Sequence, residues 1–278
     1  KNVIKRFADQ LSLVSGAKST ATEGKSGKGF IFLLDKSMAH EAYSIVISGK
    51  GAVVKASGLN GFNYAIQTIK QLLPVEIFGN ATASSVQWTM QCVTINDAPR
   101  FSYRGLHLDE CRHFFGIDEV KRYLDIMEVH KLNKFHWHLT EDQGWRIQID
   151  KYPRLTEVGS MRKRTIIGKD PNGEYDENTP FDTIPHGGFY TKDQIREVVQ
   201  YAAERFITVI PEIEFPGHSL AALASYPWLG CTGEQYEVRQ SWDIEDRVFC
   251  PGKETTFEFL EGVLEEVVEL FPSDYIHI

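Results

Sequence analysis

The sequence predicts an α/β protein in which parallel strands alternate with helices, preceded by a smaller α/β domain. Strand and helix patterns alternate after residue 97, which is typical of parallel strands joined by right-handed crossovers. Before that residue, short β-rich runs are followed by an amphipathic helix. The polar turn at residues 96–100, which contains Pro99, separates the two patterns, so we place a domain boundary between residues 97 and 98.

The N-terminal domain, residues 1–97, is expected to contain a β-hairpin and a helix. The β-rich runs at 42–47 and 52–56 are joined by a turn with two glycines, and residues 29–34 form a further apolar run. From Leu59 to Leu73, apolar residues recur every three or four positions, as on one face of a helix. This domain carries no evident cluster of reactive side chains.

Residues 98–278 are expected to contain four strands and three helices. The helices have N-terminal signals: Asp118 is a cap candidate, and Thr191 and Thr255 each open a capping box. An eight-stranded barrel takes about 250 residues, so the pattern alone fits either half a barrel or a smaller open sheet. The strands are expected at Tyr103–Asp109, Lys134–Leu139, Phe206–Ile213 and Asp274–Ile278.

Composition and charge argue against some classes of protein. The formal net charge is −8 and no long basic stripe is present, which makes nucleic acid a poor partner. A membrane span is not expected, because no run of about 18 apolar residues occurs. None of the four cysteines forms a CxxC pair. Cys231 and Cys250 flank a polar segment, and the sequence leaves open whether they form a disulfide or stay as buried free thiols.

Polar side chains cluster where the predicted strands end. The carboxyl ends of parallel barrel strands lie on one face, so these groups are expected to meet there. Charged and imidazole groups brought together can shift each other's pKa values and bind a polar ligand. The side chains concerned are Asp109, Glu110, Arg112 and His113 after the first strand, His136, His138, Glu141 and Asp142 at the second, and Glu212, Glu214 and His218 at the third.

Two of these features have both a functional and a structural interpretation. The planar guanidinium of Arg112 suits paired sugar hydroxyl groups, but an ion pair with Asp109 or Glu110 is an alternative. His136 and His138 share one face of a strand. They can therefore ligate a metal, although a hydrogen-bonded core histidine is the commoner case.

Other candidates remain equally open. Glu141 either supplies a carboxylate for acid–base chemistry or is a surface or hydrogen-bonding residue. Gly217 lets the backbone turn sharply and point His218 inward, or belongs to a simple turn. Four tryptophans either stack on sugar rings or pack in the core: Trp137, Trp145, Trp228 and Trp242.

Three segments resemble glycoside hydrolase family 20: Arg104–Phe115, Lys131–Arg146 and Pro211–His218. The resemblance implies a (β/α)8 TIM barrel behind a small α/β accessory domain, with residues 98–278 as about the first four strands of the barrel. It also implies exo-acting, retaining hydrolysis of terminal non-reducing β-linked N-acetylglucosamine or N-acetylgalactosamine. In that mechanism the acetamido oxygen of the substrate is the nucleophile.

By position in the family, Arg112 is expected to bind the outer hydroxyl groups of the terminal sugar. His218 is expected to belong to the network that tunes the catalytic glutamate, and Glu141 stands where many members have aspartate. The family's catalytic Asp-Glu pair follows a strand like Tyr275–Ile278. The acid/base pair is therefore expected beyond Ile278, and the isolated 278-residue piece is expected to be inactive.

The resemblance also implies the partners. An N-acetylhexosamine-terminated glycan or a chitooligosaccharide is the expected ligand, with no cofactor and no metal, and a periplasmic or extracellular location; a homodimer stays open. Two alternatives are a non-catalytic sugar-binding or assembly fragment and a metal-dependent barrel hydrolase that uses His136 and His138.

Overall fold

The computed structural model describes residues 2–24, 29–168, 178–242 and 245–278. The chain divides into two compact units. The first comprises Lys1–Arg104 together with Asp125–Asn133 and Ala203–Ile207, and the second comprises Gly105–Leu124, Lys134–Ala202 and Thr208–Ile278. None of the helices in the described ranges is both long and apolar enough to cross a membrane.

The first unit contains a four-stranded sheet. Its elements are α1 (Asn2–Ser15), β1 (Phe30–Leu34), β2 (Tyr43–Ser48), β3 (Gly51–Ala56), α2 (Leu59–Leu72), a 3₁₀ helix (Val75–Phe78) and β4 (Val93–Asp97). The strand order is β1-β3-β2-β4, with β1 parallel to β3 and the other pairs antiparallel. The predicted hairpin is confirmed, because Ser48 pairs with Gly51 across the turn.

Apolar side chains from both strands and helices form the core of this unit. Ile45, Val54 and Ile69 are fully buried, and Phe62 and Ile66 nearly so. This packing explains why α2 forms where its apolar periodicity predicted it. Helix α1 was not predicted, although Val3 and Phe7 are buried four residues apart on one face.

The second unit is built on three parallel strands. They are β5 (Gly105–Asp109), β6 (Lys134–His138) and β11 (Thr208–Glu212), in the order β11-β6-β5. Register aligns Asp109 with His138 and His138 with Glu212, so the three strand ends lie side by side. The other strands are two-residue pairs: β7 (Thr140–Glu141) with β8 (Gly144–Trp145), and β9 (Met161–Arg162) with β10 (His186–Gly187).

The helices that follow β5 in the chain alternate with its parallel strands, as the sequence predicted. They are α3 (Ile117–Val129), α4 (Arg154–Glu157), α5 (Lys192–Ala203), α6 (Leu220–Ser225), a 3₁₀ helix (Pro227–Leu229) and α7 (Glu254–Leu270). The capping box before α5 is confirmed: the Gln194 backbone N–H donates to Thr191 Oγ1 at 3.2 Å, and the Thr191 N–H donates to Gln194 Oε1 at 2.9 Å.

Two sequence predictions about helix starts are wrong, and one predicted strand is reduced to a bridge. Helix α3 begins at Ile117, so Asp118 lies inside its first turn and is not the cap. Helix α7 begins one residue before Thr255, and its N-cap Lys253 makes no side-chain cap bond. In place of a fourth strand, the segment at residues 274–278 forms a single parallel bridge between Glu212 and His277. Part of the long connection predicted at residues 140–190 lies outside the described residues.

Candidate active site

Arg112 is held beside the end of β5 by three side chains. Its Nη1 donates to Asp109 Oδ2 at 2.9 Å, and its Nε donates to Gln143 Oε1 at 3.2 Å. Its Nη2 lies 3.1 Å from Glu141 Oε2. The predicted alternative of an ion pair with Asp109 is thus present, and a second anion also faces the guanidinium. The side chain remains 31% exposed, so it can still meet a ligand.

Glu141 connects Arg112 to His218. The Glu141 Oε1 lies 2.6 Å from His218 Nδ1, while Oε2 faces the guanidinium. Burial raises the pKa of Glu141 to about 7, against the attraction of Arg112. When Glu141 is ionised, the His218 Nδ1–H donates to it, which leaves Nε2 free to accept a proton from another group. The carboxylate therefore fixes both the tautomer and the orientation of this imidazole.

The backbone after β11 turns at His218 itself. His218 has φ 50°, in the left-handed region that non-glycine residues rarely adopt, whereas Gly217 does not have a positive φ. The sequence argument that assigned the turn to Gly217 is therefore wrong in its residue, although the imidazole does point to Glu141. Asp142 Oδ1 accepts the Leu220 backbone N–H at 2.9 Å and anchors the segment just after the turn.

A buried imidazole, His138, lies among four carboxylates behind this cluster. Its ring nitrogens are 3.6 to 3.9 Å from carboxylate oxygens of Asp109, Glu141, Glu212 and Glu214. Burial lowers the pKa of His138 despite the neighbouring Glu212. The pKa values of Glu212, at the end of β11, and Glu214, just after it, shift in opposite directions. Burial and the hydrogen bond with Glu212 raise the pKa of Glu214, whereas the surrounding histidines outweigh burial and lower that of Glu212.

His136 lies with a different set of side chains. Its Nε2 is 2.5 Å from Glu212 Oε2, and His107 Nε2 lies 3.3 Å from the same oxygen. Within the described ranges, these three residues form one group with metal-ligand spacing. His138 belongs to other groups, so the geometry does not bring His136 and His138 together as ligands of one ion. The shared strand face predicted for the two histidines is present, since both approach Glu212.

Arg146, which sequence reasoning did not single out, ties the loops around the site together. It is completely buried and donates to the carbonyl oxygens of Glu110, Cys111, Ser160 and Gly188, at 2.6 to 3.1 Å. These carbonyls come from the connections that follow β5, precede β9 and follow β10. Arg146 directly follows β8, and nothing in its sequence position identified these backbone partners.

Of the four tryptophans considered for sugar stacking or core packing, two are buried and two are exposed. Trp137 and Trp145 are 0% and 2% exposed and belong to the core. Trp228 and Trp242 are 42% and 43% exposed, so they remain available for stacking. Trp242 follows Ser241, whose carbonyl accepts from Gln143 Nε2 at 3.1 Å. Because Gln143 also binds Arg112, the exposed Trp242 belongs to the surroundings of the candidate site.

Comparison with known proteins identifies the relationship. The Glycosyl hydrolase family 20 catalytic-domain model matches residues 101–278, and the model of domain 2 of that family matches residues 2–98. A Porphyromonas gingivalis β-hexosaminidase is 42% identical over 282 residues, which cover 100% of this chain and 34% of the relative. The chain thus spans about a third of that protein.

Solved structures of β-hexosaminidases are similar to this chain as well. The Streptomyces coelicolor A3(2) β-N-acetylhexosaminidase has a TM-score of 0.87 and 36% identity, over 100% of this chain and 52% of that one. A mutant Streptomyces plicatus β-hexosaminidase in complex with the product GlcNAc has a TM-score of 0.85 and 35% identity, with the same coverage. The predicted fold class, a small α/β domain and part of a TIM barrel, is confirmed. The chain belongs to glycoside hydrolase family 20.

Proposed function

We propose that the full-length protein is an exo-acting β-N-acetylhexosaminidase that removes terminal, non-reducing β-linked N-acetylglucosamine or N-acetylgalactosamine. The observation that carries the proposal is the continuous contact from Arg112 through Glu141 to His218, at 3.1 and 2.6 Å. It is supported by the family membership of the chain and by the β-hexosaminidases to which it is similar.

Arg112 is the proposed anchor for the terminal sugar. Asp109, Gln143 and Glu141 hold its guanidinium from three directions, so it is pre-organised before substrate arrives. Fixed N–H donors bind two neighbouring hydroxyl groups together. Those hydroxyls are free only at a non-reducing end, so the contact makes hydrolysis exo-acting.

Glu141 and His218 are proposed to support a proton transfer that another carboxyl group performs. In the substrate-assisted mechanism, the acetamido oxygen of the sugar attacks the anomeric carbon while a glutamic acid protonates the leaving oxygen. The same glutamate then activates water. With its Nδ1 held by Glu141, the His218 Nε2 can hydrogen-bond that acid and keep its pKa near the working pH. We propose that the Asp-Glu pair follows the segment Tyr275–Ile278, as in the family.

The test is hydrolysis of nitrophenyl N-acetylglucosaminide by the full-length protein. Release of nitrophenol is expected, together with retention of the anomeric configuration in the first-formed sugar. A chitooligosaccharide blocked at its non-reducing end should resist hydrolysis, while the unblocked one loses single residues. A folded protein that cleaves other nitrophenyl glycosides but not this one would refute the proposal.

The proposed partners follow from this chemistry. They are glycans that end in N-acetylhexosamine, and chitooligosaccharides. Such polymers are found outside cells or in a periplasm, so we also propose export to one of these compartments. Fractionation of the native host, with activity measured in each fraction, tests the location: activity confined to the cytoplasm would exclude it.

A further inference from the structure

A cavity of about 490 Å³ lies within the first unit. Its walls come from α1, α2, the 3₁₀ helix Val75–Phe78 and the segments of this unit at residues 125–133 and 203–207. The volume is sufficient for a small ligand. The lining side chains of Leu13, Phe78 and Asp125 are exposed, so a ligand can enter from solvent. Arg112 belongs to the second unit, which makes this cavity a separate candidate for binding.

Lys70 is the cation in this cavity that lacks an ion pair. The other charged groups of the lining are paired: Arg6 with Glu128 at 2.8 Å, Arg205 with Asp125 at 2.7 Å, and Asp9 with Lys5 at 2.9 Å. None of the described residues forms an ion pair or hydrogen bond with Lys70 Nζ, although the side chain is partly buried. Burial accordingly lowers the pKa of Lys70, against the attraction of Glu128. An anion beside the ammonium would offset this cost.

Two buried amides on the same helix lack hydrogen-bond donors for their oxygens. Asn63 and Gln67 are 1% and 2% exposed, and neither Asn63 Oδ1 nor Gln67 Oε1 accepts a hydrogen bond from a described residue. They line the cavity four residues apart on α2, and Lys70 follows three residues later, so all three share one face. Buried polar groups are normally paired. Because the terminal amide torsion is broad, these oxygens can turn toward the hydroxyl groups of a ligand.

We propose that this cavity binds a sugar acid, a monosaccharide that carries one carboxylate. The carboxylate pairs with the Lys70 ammonium. The sugar hydroxyl groups donate to the amide oxygens of Asn63 and Gln67. The carbon face of the ring packs against Phe7 and Ile66, which are buried apolar residues of the same lining.

A single negative charge on the ligand suits the cavity. The paired side chains cancel one another, and the positive charge of Lys70 remains. A neutral sugar leaves the ammonium uncompensated. A phosphate dianion adds a second charge, which the carboxylates of Glu128 and Asp125 in the same lining repel.

Saturation-transfer NMR titration of the full-length protein with D-glucuronate tests the proposal, with D-glucose as the neutral match. Glucuronate is expected to bind with a Kd of about 1 mM or tighter, and glucose about tenfold more weakly. Lys70→Met should weaken glucuronate binding about tenfold without lowering the melting temperature, because it removes an unpaired charge. Lys50→Met, at the exposed hairpin turn, should bind like the wild type. Equal affinities for the two sugars, or an unchanged affinity in Lys70→Met, would overturn the proposal.

Chemical labelling locates the bound sugar. Saturating glucuronate should slow acetylation of Lys70 by an active ester more than about threefold and leave that of Lys50 unchanged, as mapped by mass spectrometry of peptides. Arg112→Met should bind glucuronate like the wild type. Loss of binding in Arg112→Met, or no protection at Lys70, would contradict a site in the first unit. Neither measurement uses hydrolysis, so the outcome is independent of the proposed function.

Discussion

Replacing Arg146 by methionine is expected to destabilise the protein strongly. Four carbonyl oxygens, those of Glu110, Cys111, Ser160 and Gly188, would lose a charged donor without gaining access to water. Hydrogen bonds to charged groups contribute about 1.5–3 kcal/mol each. Removing the buried charge offsets part of that sum, so we expect a loss of about 4 kcal/mol in the free energy of unfolding.

Urea denaturation of the full-length protein, followed by intrinsic fluorescence, measures this loss. Arg146→Lys should lie between the wild type and Arg146→Met, because an ammonium keeps the charge but offers its donors from a single point. Arg196→Met is the matched control, since Arg196 is 52% exposed and its Nη1 forms a surface ion pair with Asp193 at 2.9 Å. A loss below about 1 kcal/mol in Arg146→Met would show that these carbonyls do not depend on the guanidinium.

Three other substitutions test separate parts of the structure. Burial raises the pKa of Glu110 from 4.5 to about 7, so the stability that its protonated form provides is complete below about pH 4.5 and is lost as the pH rises through 7. In urea titrations, the free energy of unfolding of Glu110→Gln relative to that of the wild type should therefore increase by about 3 kcal/mol between about pH 4.5 and pH 8. The same difference between the two proteins at both pH values would contradict this. Thr191→Ala should lower the free energy of unfolding by about 1 kcal/mol through loss of the α5 capping box, and the exposed Thr89→Ala should not. Glu141→Gln should lower kcat for nitrophenyl N-acetylglucosaminide on the order of 100-fold without lowering the melting temperature; full activity would exclude a role for the carboxylate charge.

The placement of polar groups at one edge of the sheet could be predicted from the sequence. Parallel strands bring their carboxyl ends together, and Asp109, His138 and Glu212 are indeed in register. Apolar periodicity located α2, and a capping motif located the start of α5, because both depend on contacts between residues close in the chain. Helix α1 was missed, although its buried positions have helical spacing.

The contacts between distant residues could not be derived from periodicity. Glu141 and His218 are 77 residues apart, and their pairing depends on a left-handed backbone at His218 that the sequence assigned to Gly217. Arg146 was overlooked for a similar reason, since its partners are backbone carbonyls whose positions depend on loop paths. Strand topology placed Arg112 and His218 at the same edge of the sheet, but only the resemblance to a family gave each of them a role in the site.

The most direct test of the proposed site is the kcat/KM of Arg112→Met for nitrophenyl N-acetylglucosaminide in the full-length protein. Loss of a guanidinium that binds two sugar hydroxyl groups should lower kcat/KM on the order of 100-fold. Arg122→Met, at an exposed position on α3, should match the wild type. An Arg112→Met protein within about threefold of wild-type kcat/KM would contradict the assignment of Arg112 as the sugar anchor.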